Sequence, residues 1–293
     1  MLSSRLRYIV SATLCAHRPS PVSRAAFRHV VCCDNTEPQP TTAAVVDSLP
    51  AARGGRIEGR TVYYVSTPIG NLEDITLRAI RTLKTVDIIA SEDTRVTAAL
   101  LRHLGIGRKT MMSHHDHNLG SSVPKLLQML EDGASVAVVS DAGTPGISDP
   151  GLALALACRS RSIPLVPVPG PCAAVAALSV SAVTAGEFVF MGFLPRGSKA
   201  RRLKVDEVAH EARTVVLYEA PHRLVDTLGA LAAAGARDRE VVCARELTKV
   251  HEEFHHGTVG TARQWYAGIA ERDGKVRNLP TKPWPVTSLH SPD

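Results

Sequence analysis

The chain has 293 residues, of which 44% are hydrophobic, enough to bury one large core or two modest ones. No apolar run approaches the roughly 18 residues that a membrane-spanning helix needs, which excludes a protein built on such helices and predicts no membrane partner. The net charge of +6 is unevenly distributed: residues 1–33 contain five Arg and no acid, leaving 29 basic against 28 acidic side chains elsewhere. A nucleic-acid site would therefore be a local patch and not a global positive field.

The N-terminal 60 residues do not have the pattern of a folded domain. Residues 1–33 are rich in Arg, Ser and Ala, which favours an organelle transit peptide over an ordinary disordered tail. The Val-Val-Cys-Cys end favours the chloroplast, with the mitochondrion as the alternative. Residues 34–60 have no apolar periodicity and are predicted to be a flexible linker.

The cysteines indicate neither a disulfide framework nor a metal site. Three of the six lie in the N-terminal segment, and Cys158, Cys172 and Cys243 are isolated in apolar contexts.

From residue 61 the chain alternates strand-like and helix-like segments. The β-rich run TVYYVS (61–66) is followed by Asn71, which we expect to cap a helix with Glu73 and Asp74 in its first turn. The apolar face of this helix recurs at spacings of three and four: Leu72, Ile75, Ala79, Leu83 and Val86.

The same alternation continues to about residue 185. The strand VDIIAS precedes a second helix that stops at Gly105, and a third helix ends at Gly133 before the strand ASVAVVS. A further strand, IPLVPV (163–168), leads through Pro-Gly-Pro into a helix of small residues. This β-α-β-α order predicts a mainly parallel sheet with helices on its faces, over residues 61–185.

A second series begins after Gly186. FVFMGFLP, TVVLYEAPHR and REVVCARELTK are strand-plus-loop units, separated by two helix-like segments. The prediction is a second α/β domain over residues 186–278, followed by a Pro-containing tail at 279–293.

The loop SDAGTPGISDPG (140–151) is the densest of the strand-end loops. It lacks the Lys-Ser/Thr of a phosphate-binding loop, the G-x-G-x-x-G of a dinucleotide site and the G-x-S-x-G of a nucleophile elbow. We expect Asp149 to cap the next helix and Pro150 to open it. The remaining backbone and acidic groups suit a ligand with hydroxyls and positive charge; a tight turn with no ligand is the alternative.

Eight ordered blocks carry a family resemblance. They are STPIGNLEDITLRA, SEDTR, HDHN, SDAGTPGISDPG, PVPGPCAAVAAL, GFLPR, YEAPHR and ARELTKVHEE, between about Val62 and about Gly274. Together they resemble the tetrapyrrole methylases, specifically the bacterial RsmI group of ribosomal RNA small-subunit methyltransferases, which act on a cytidine ribose 2′-oxygen. The resemblance implies a tetrapyrrole-methylase-like fold of two α/β domains, with S-adenosylmethionine in the cleft between them and commonly a homodimer.

The resemblance also implies the cofactor-binding residues. They lie in three loops of the first domain and three of the second: Pro68; Ser140, Asp141, Ala142, Gly143, Thr144 and Pro145; Pro169, Gly170, Pro171, Cys172 and Ala173; Leu194; Tyr218; and Leu247 with Thr248.

A sugar hydroxyl is a poor nucleophile, so we expect a general base or a group that stabilises the departing proton. The candidates are Glu92, Asp93, His115, His117, Glu219, Glu246 and Lys249. Each has a structural alternative: Asp93 as a helix cap, the histidines as loop supports, and Glu246 with Lys249 as a surface pair. We favour Glu92, Glu246 and Lys249 as catalytic, because they end strands that face the expected cleft.

A basic cluster indicates the substrate. Residues 195–204 contain five basic side chains and no acid: Arg196, Lys199, Arg201, Arg202 and Lys204. This cluster suits contacts with RNA phosphates, and a solvated helix face is an equally weighted alternative. A carboxylate-bearing tetrapyrrole would also suit this cluster, so the blocks SEDTR, HDHN and ELTK decide for RNA. The sequence thus predicts 2′-O-methylation in an organelle; the alternatives are a uroporphyrinogen- or precorrin-type methyltransferase and a truncated, non-catalytic relative.

The end of the chain departs from the family pattern. Where the family resumes with Gly-Glu and an apolar strand, this chain reads KVRNLPTKPWPVTSLHSPD. We therefore expect the second domain's sheet to lack its last strand and to have an unpaired edge.

Overall fold

A computed structural model describes residues 9–14, 56–149, 151–183 and 185–273 of the chain. These residues form two compact units, one containing residues 56–176 and the other containing residues 9–14 together with those from 177 onward. Within the described ranges, no helix combines the length and apolar character needed to cross a membrane. Most of the predicted linker and all of the predicted tail at 279–293 lie outside the described residues.

The N-terminal unit contains a five-stranded parallel sheet. Its strand order is β4-β3-β5-β2-β6. In chain order the elements are β2 (Val62–Val65), α1 (Leu77–Thr85), β3 (Ile88–Ser91), α2 (Thr94–His103), β4 (Thr110–Ser113), α3 (Leu119–Glu131), β5 (Val136–Val139), α4 (Leu152–Ser160) and β6 (Leu165–Val168), before α5 (Ala173–Val180).

Helices cover both faces of this sheet. Apolar residues of α1 and α2, including Ile80 and Leu101, pack with Val65 and Val139 on one face. Residues of α3 and α4, including Leu126, pack on the other face. Because β3 and β5 are buried on both sides, they are continuous apolar runs without alternation, as parallel strands usually are. The prediction of a parallel sheet between two helix layers is confirmed.

Two predicted helix starts are wrong. The Asn71 side chain caps a single 3-10 turn, Leu72–Asp74, and Thr76 caps α1 by accepting a hydrogen bond from the Ala79 amide at 3.1 Å. Helix α4 begins after Gly151 and not after Asp149, whose carboxyl group is hydrogen-bonded to the Ser140 side chain. Pro150, expected to open this helix, lies outside the described residues.

The C-terminal unit has a mixed five-stranded sheet. Its order is β10-β9-β1-β8-β7, with β7 parallel to β8 and the other neighbours antiparallel. The elements are β1 (Ile9–Leu14), β7 (Phe188–Phe193), α6 (Ser198–His210), β8 (Thr214–Glu219), α7 (Leu224–Leu231), a π-helical turn (Ala232–Ala236), β9 (Glu240–Arg245), β10 (Glu253–Thr258) and α8 (Val259–Asp273).

Strand β1 differs from the sequence expectation. Residues 9–14, predicted to belong to a transit peptide, occupy the central position of this sheet. The expected unpaired edge is also absent at β8 and β9, because both strands pair with β1. The described sheet therefore ends at β10 and β7, and each of these edge strands has one neighbour.

Candidate functional site

The connections of the N-terminal sheet reverse direction between two neighbouring strands. Strand β3 continues through α2 to β4 on one side, whereas β5 continues through α4 towards β6 on the other side. In open parallel sheets, ligands bind beyond the carboxyl ends of the strands at this switch point. Glu92 directly follows β3, and Asp141 is the second residue after β5.

Hydrogen bonds join the loops after β3 and β5. The Asp141 amide donates to Glu92 Oε2 at 3.3 Å, and the Asp93 amide donates to Asp141 Oδ1 at 2.9 Å. Each acidic side chain thus fixes the backbone of the opposite loop. This reciprocal arrangement holds two carboxyl groups at the crevice where a ligand is expected.

Three carboxyl groups at this edge have raised pKa values. Burial raises the pKa of Glu92, and the nearby Asp141 carboxylate raises it further. Burial also raises the pKa of Asp141. The pKa of Asp149 rises to about 7, first because of burial and then because of the Glu92 carboxylate. We call Glu92, Asp141 and Asp149 the carboxylate cluster; it tends to retain a proton or to attract a cation.

Asp93 is a helix cap with a different environment. Its side chain accepts hydrogen bonds from the Arg95 amide at 2.9 Å and from the Arg95 guanidinium, which hold its pKa at about 2. A carboxylate with so low a pKa is a weak base. The capping alternative for Asp93 therefore fits the structure better than a proton-accepting role.

The loops after β2, β5 and β6 are tied to one another. Thr67 and Gly143 exchange two backbone hydrogen bonds, at 2.9 and 3.0 Å. The Ser66 hydroxyl lies 3.0 Å from the Thr144 hydroxyl, which donates to the Pro171 carbonyl oxygen at 3.0 Å. The predicted cofactor loops of this unit, containing Pro68, Ser140–Pro145 and Pro169–Ala173, are thus held as one surface.

The structure requires glycine at two positions in these loops. Gly143 has φ of 89°, a conformation that residues with a Cβ atom rarely adopt. A Cβ atom on Gly170 would lie 2.9 Å from the Ser66 Cβ atom, too close for unstrained packing. The close approach of loops therefore requires glycine at both positions.

The two candidate histidines lie in the loop after β4. The Asn118 side chain organises this loop, accepting from the His115 amide at 2.9 Å and donating to the Ser113 carbonyl at 3.0 Å. The His115 and His117 rings are 6.0 Å apart in an edge arrangement. Burial and Asp141 raise the pKa of Glu92, and His115 acts on it in the opposite direction, which connects this loop electrostatically to the carboxylate cluster.

In the C-terminal unit, the predicted residues occupy strand ends and are largely buried. Leu194 follows β7, and Leu247 follows β9. Tyr218, on β8, contacts the Phe190 and Phe193 rings at centroid distances of 5.0 and 5.5 Å. Phe190, Phe193 and Tyr218 thus form an aromatic cluster on β7 and β8.

Glu219 is engaged in a buried polar network. Its carboxylate is 1% exposed and accepts from the Ala220 amide at 2.8 Å and from the Thr227 hydroxyl at 2.6 Å. The Arg201 guanidinium donates to the same Thr227 hydroxyl at 2.7 Å. Glu219 therefore has a structural role in the described unit, and Arg201 points into this network.

The turn after β9 is strained at one predicted catalytic residue and one predicted cofactor-binding residue. Glu246 and Thr248 have φ of 51° and 63°, a region uncommon for residues other than glycine and rarer still for a β-branched one. Lys249 Nζ lies 3.6 Å from Glu246 Oε1. Strain of this kind costs about 1–3 kcal/mol per residue and concentrates at binding and active sites.

The basic cluster is divided by its contacts. Lys204 forms an ion pair with Glu207 at 2.9 Å, and Arg201 binds Thr227. Arg196, Lys199 and Arg202 are exposed. We call these three residues the basic patch.

Sequence reasoning did not anticipate the raised pKa of Asp149. It assigned this residue to helix capping, although a carboxylate in a Gly-rich loop beside two strand-end acids was the available signal. In contrast, Glu92 lies at the switch point together with the predicted loops of its unit, and Glu246, Leu247, Thr248 and Lys249 share one turn in the other unit.

Comparisons with known proteins agree with this architecture. Residues 61–263 match the family model of Tetrapyrrole (Corrin/Porphyrin) Methylases. Among solved structures, a cobalt precorrin-4 methyltransferase aligns with a TM-score of 0.54 and 17% identity, covering 74% of this chain and 92% of that one. Uroporphyrin III C-methyl transferase from Thermus thermophilus aligns with a TM-score of 0.52 and 18% identity, covering 70% and 91%. These distant similarities establish the fold.

The curated relatives are much more similar in sequence. Ribosomal RNA small subunit methyltransferase I of Synechocystis is 48% identical over 205 residues, which are 70% of this chain and 73% of the relative. The protein of the same name from Escherichia coli O157:H7 is 48% identical over 204 residues, covering 70% and 71%. The chain therefore belongs to the tetrapyrrole methylase family, within the group of ribosomal RNA small subunit methyltransferase I.

Proposed function

We propose that this chain transfers a methyl group from S-adenosylmethionine to the ribose 2′-oxygen of a cytidine in small-subunit ribosomal RNA. The observation that carries the proposal is the carboxylate cluster at the switch point of the N-terminal sheet, in a chain 48% identical to small-subunit ribosomal RNA methyltransferases. The distant porphyrinoid methyltransferases share only the fold, so they do not favour a tetrapyrrole substrate.

The residues of the N-terminal unit fit S-adenosylmethionine. When bound, this cofactor supplies an activated methyl group on a positively charged sulfur. Burial and mutual repulsion raise the pKa values of the carboxylate cluster, and a cationic ligand would relieve that repulsion. Carboxylates at strand ends can also accept hydrogen bonds from ribose hydroxyls. The loops joined by the Thr67–Gly143 backbone pair would hold such a ligand.

Asp149 and Glu92 are the best-suited proton acceptors of the described residues. A general base works best when its pKa is near the working pH, and that of Asp149 is about 7. The Glu92 carboxylate raises the pKa of Asp149, so ionisation of Glu92 disfavours ionisation of Asp149. The Ser140 hydroxyl bonds to Asp149 and orients its carboxyl group.

The strained turn after β9 contributes a second polar group. Glu246 and Lys249 form an ion pair. If substrate binding separates this pair, the Lys249 ammonium would stabilise a phosphate or a developing oxyanion. The basic patch, on the loop after β7 and on α6, would bind the RNA backbone. Both features belong to the C-terminal unit, to which we assign RNA recognition.

Localisation and assembly are further parts of the proposal. The acid-free, Arg-rich residues 1–33 support import into an organelle, with the chloroplast preferred. An exposed apolar face on α4 and β6 supports a homodimer: Leu152, Leu156 and Leu165 are 68%, 56% and 38% exposed. Microscopy of cells that express the chain with a C-terminal fluorescent tag tests the localisation. The molar mass of the purified chain in solution tests the homodimer.

The proposed reaction can be tested directly. The purified chain is incubated with methyl-labelled S-adenosylmethionine and small ribosomal subunits from a bacterial strain that lacks its own relative. We expect label at a single cytidine, detected as a ribose 2′-O-methyl group by mass spectrometry of nuclease fragments.

Two controls make the result interpretable. Subunits from the parent strain, already methylated by its own enzyme, should accept no label. Transfer to a uroporphyrinogen-type substrate in place of RNA would contradict the proposal, as would S-adenosylmethionine binding without any transfer to RNA.

A further inference from the structure

Strands β8 and β9 are separated by one strand position. They do not pair with each other; each pairs antiparallel with β1. The register places Ala12 opposite Val216 on one side and opposite Val242 on the other. Since adjacent strands lie about 4.8 Å apart, β8 and β9 are roughly 10 Å apart, too far for direct hydrogen bonds.

The strands beside this position are buried. Val215 to Leu217 on β8 and Val241 to Ala244 on β9 are each at most 4% exposed. Water therefore has little access to the backbone groups that face β1. Buried N–H and C=O groups are almost always paired in folded proteins, and β1 supplies the partners for those of β8 and β9 that face it.

The occupant matches the length of the position. Ile9 pairs with Glu219 and Arg245, at the carboxyl ends of β8 and β9, and Thr13 pairs with Val215 and Val241 near their beginnings. The six-residue strand β1 thus covers nearly the full length of both neighbours. Residues from the start of the chain complete a sheet whose other strands lie beyond residue 187.

We propose that residues 9–14 are an integral strand of the C-terminal unit, and that their removal opens a strand-acceptor slot between β8 and β9. The slot takes an extended segment antiparallel to both neighbours, held mainly by backbone hydrogen bonds. The N-terminal segment then has a folding role distinct from targeting. A protease that cut near residue 33 would vacate the slot.

A proline substitution tests this inference in the full chain. Every amide of a central strand donates to a neighbour, so Ala12→Pro removes one ladder hydrogen bond and disturbs β1. Ala12→Val, with a good strand-forming residue, is the matched control. We expect hydrogen exchange at β8 and β9 to be faster on the order of 100-fold in Ala12→Pro only, while β2 and β5 keep their protection.

A peptide of residues 8–14 provides the second measurement. Added to Ala12→Pro, it should restore protection at β8 and β9, whereas the same peptide carrying the proline should not. If the proline variant loses protection in both sheets, rescue by the peptide still decides for the slot, and failure of rescue decides against it. Unchanged protection of β8 and β9 in Ala12→Pro would overturn the proposal, because another segment would then complete the sheet.

Discussion

At the scale of single residues, the site depends on how three carboxyl groups share one buried edge. Glu92, Asp141 and Asp149 each lose hydration on folding, and each ionised neighbour makes the next ionisation harder. Asp93 directly follows Glu92 in the sequence, but it accepts hydrogen bonds from Arg95, and these lower its pKa. Environment, and not residue type, thus separates the proposed proton acceptors from the helix cap.

The raised pKa of Asp149 makes stability depend on pH. Between about pH 4 and pH 7 the folded state binds more protons at this residue than the unfolded state, so stability falls as the pH rises through this window. Asp149→Asn mimics the protonated form. We expect it to raise the free energy of unfolding at pH 8 by about 2–4 kcal/mol and to change it little at pH 4.

Urea unfolding of both proteins across this pH range provides the measurement. Asp238→Asn, at an exposed position of the C-terminal unit, serves as a control for the loss of one negative charge. A constant difference between Asp149→Asn and the wild type at all pH values would contradict the raised pKa.

Glu92 should affect catalysis more than cofactor affinity. Glu92→Gln keeps the shape of the side chain but cannot accept a proton, so we expect turnover to fall about 100-fold or more. The pH dependence of the remaining activity should also shift, because the charge that raises the Asp149 pKa is gone. Single-turnover kinetics and calorimetric titration with S-adenosylmethionine separate the two effects.

A surface substitution controls for this experiment. Glu131→Gln removes a surface acid that forms an ion pair with Arg161, and it should leave turnover unchanged. Wild-type turnover in Glu92→Gln would remove Glu92 from the catalytic machinery.

At the scale of elements, close packing of loops positions the site. The loops after β2, β5 and β6 meet through the Thr67–Gly143 backbone pair and through Ser66, Thr144 and Pro171. These strands are neighbours in the sheet, so their carboxyl ends converge whatever the separation of the loops in sequence. Glycine allows the final approach of one backbone to another.

Gly170→Ala should show how tight this approach is. The added Cβ atom would lie 2.9 Å from Ser66 Cβ, so the loop must shift, and we expect a loss of about 1–3 kcal/mol in the free energy of unfolding. Gly120→Ala, in the first turn of α3 with open space around it, should be neutral or slightly stabilising. Equal stabilities of the two variants would show that the loops are not packed in this way.

At the scale of the whole molecule, charge is concentrated and not spread. The net charge of +6 comes mostly from residues 1–33, so the folded units have little overall field to attract RNA. Of the five predicted RNA-binding side chains, Arg201 and Lys204 have protein partners. Phosphate contacts must then come from the basic patch.

The triple variant Arg196→Ala, Lys199→Ala and Arg202→Ala should weaken RNA binding. Loss of up to three phosphate contacts should reduce the slope of log affinity against log salt by about 2–3. The same number of alanines at the exposed Arg102, Arg108 and Lys125 is the charge-matched control. An unchanged salt slope in the patch variant would assign RNA binding to another surface.

Much of the N-terminal unit could be predicted from the sequence, and its helix boundaries less well. The apolar runs of β3 and β5 and the Gly stops after α2 and α3 are local signals, and they predict the elements directly. The predicted start of α1 is wrong because the side chains of Asn71 and Thr76 can both cap a helix. Only the structure shows that Asn71 caps the short 3-10 turn and that Thr76 caps α1. The strand β10 had no recognisable pattern, since EFHHGT lacks apolar alternation.

The sequence by itself determined the family, the parallel sheet and the loops that form the site, because motifs and periodicity are written locally in the chain. Tertiary structure alone decided three other features: the raised pKa of Asp149, the protein partners of Arg201 and the position of residues 9–14 between β8 and β9. Each depends on groups that are distant in sequence and adjacent in space. Burial, electrostatic coupling and strand pairing act through space, so a linear pattern does not contain them.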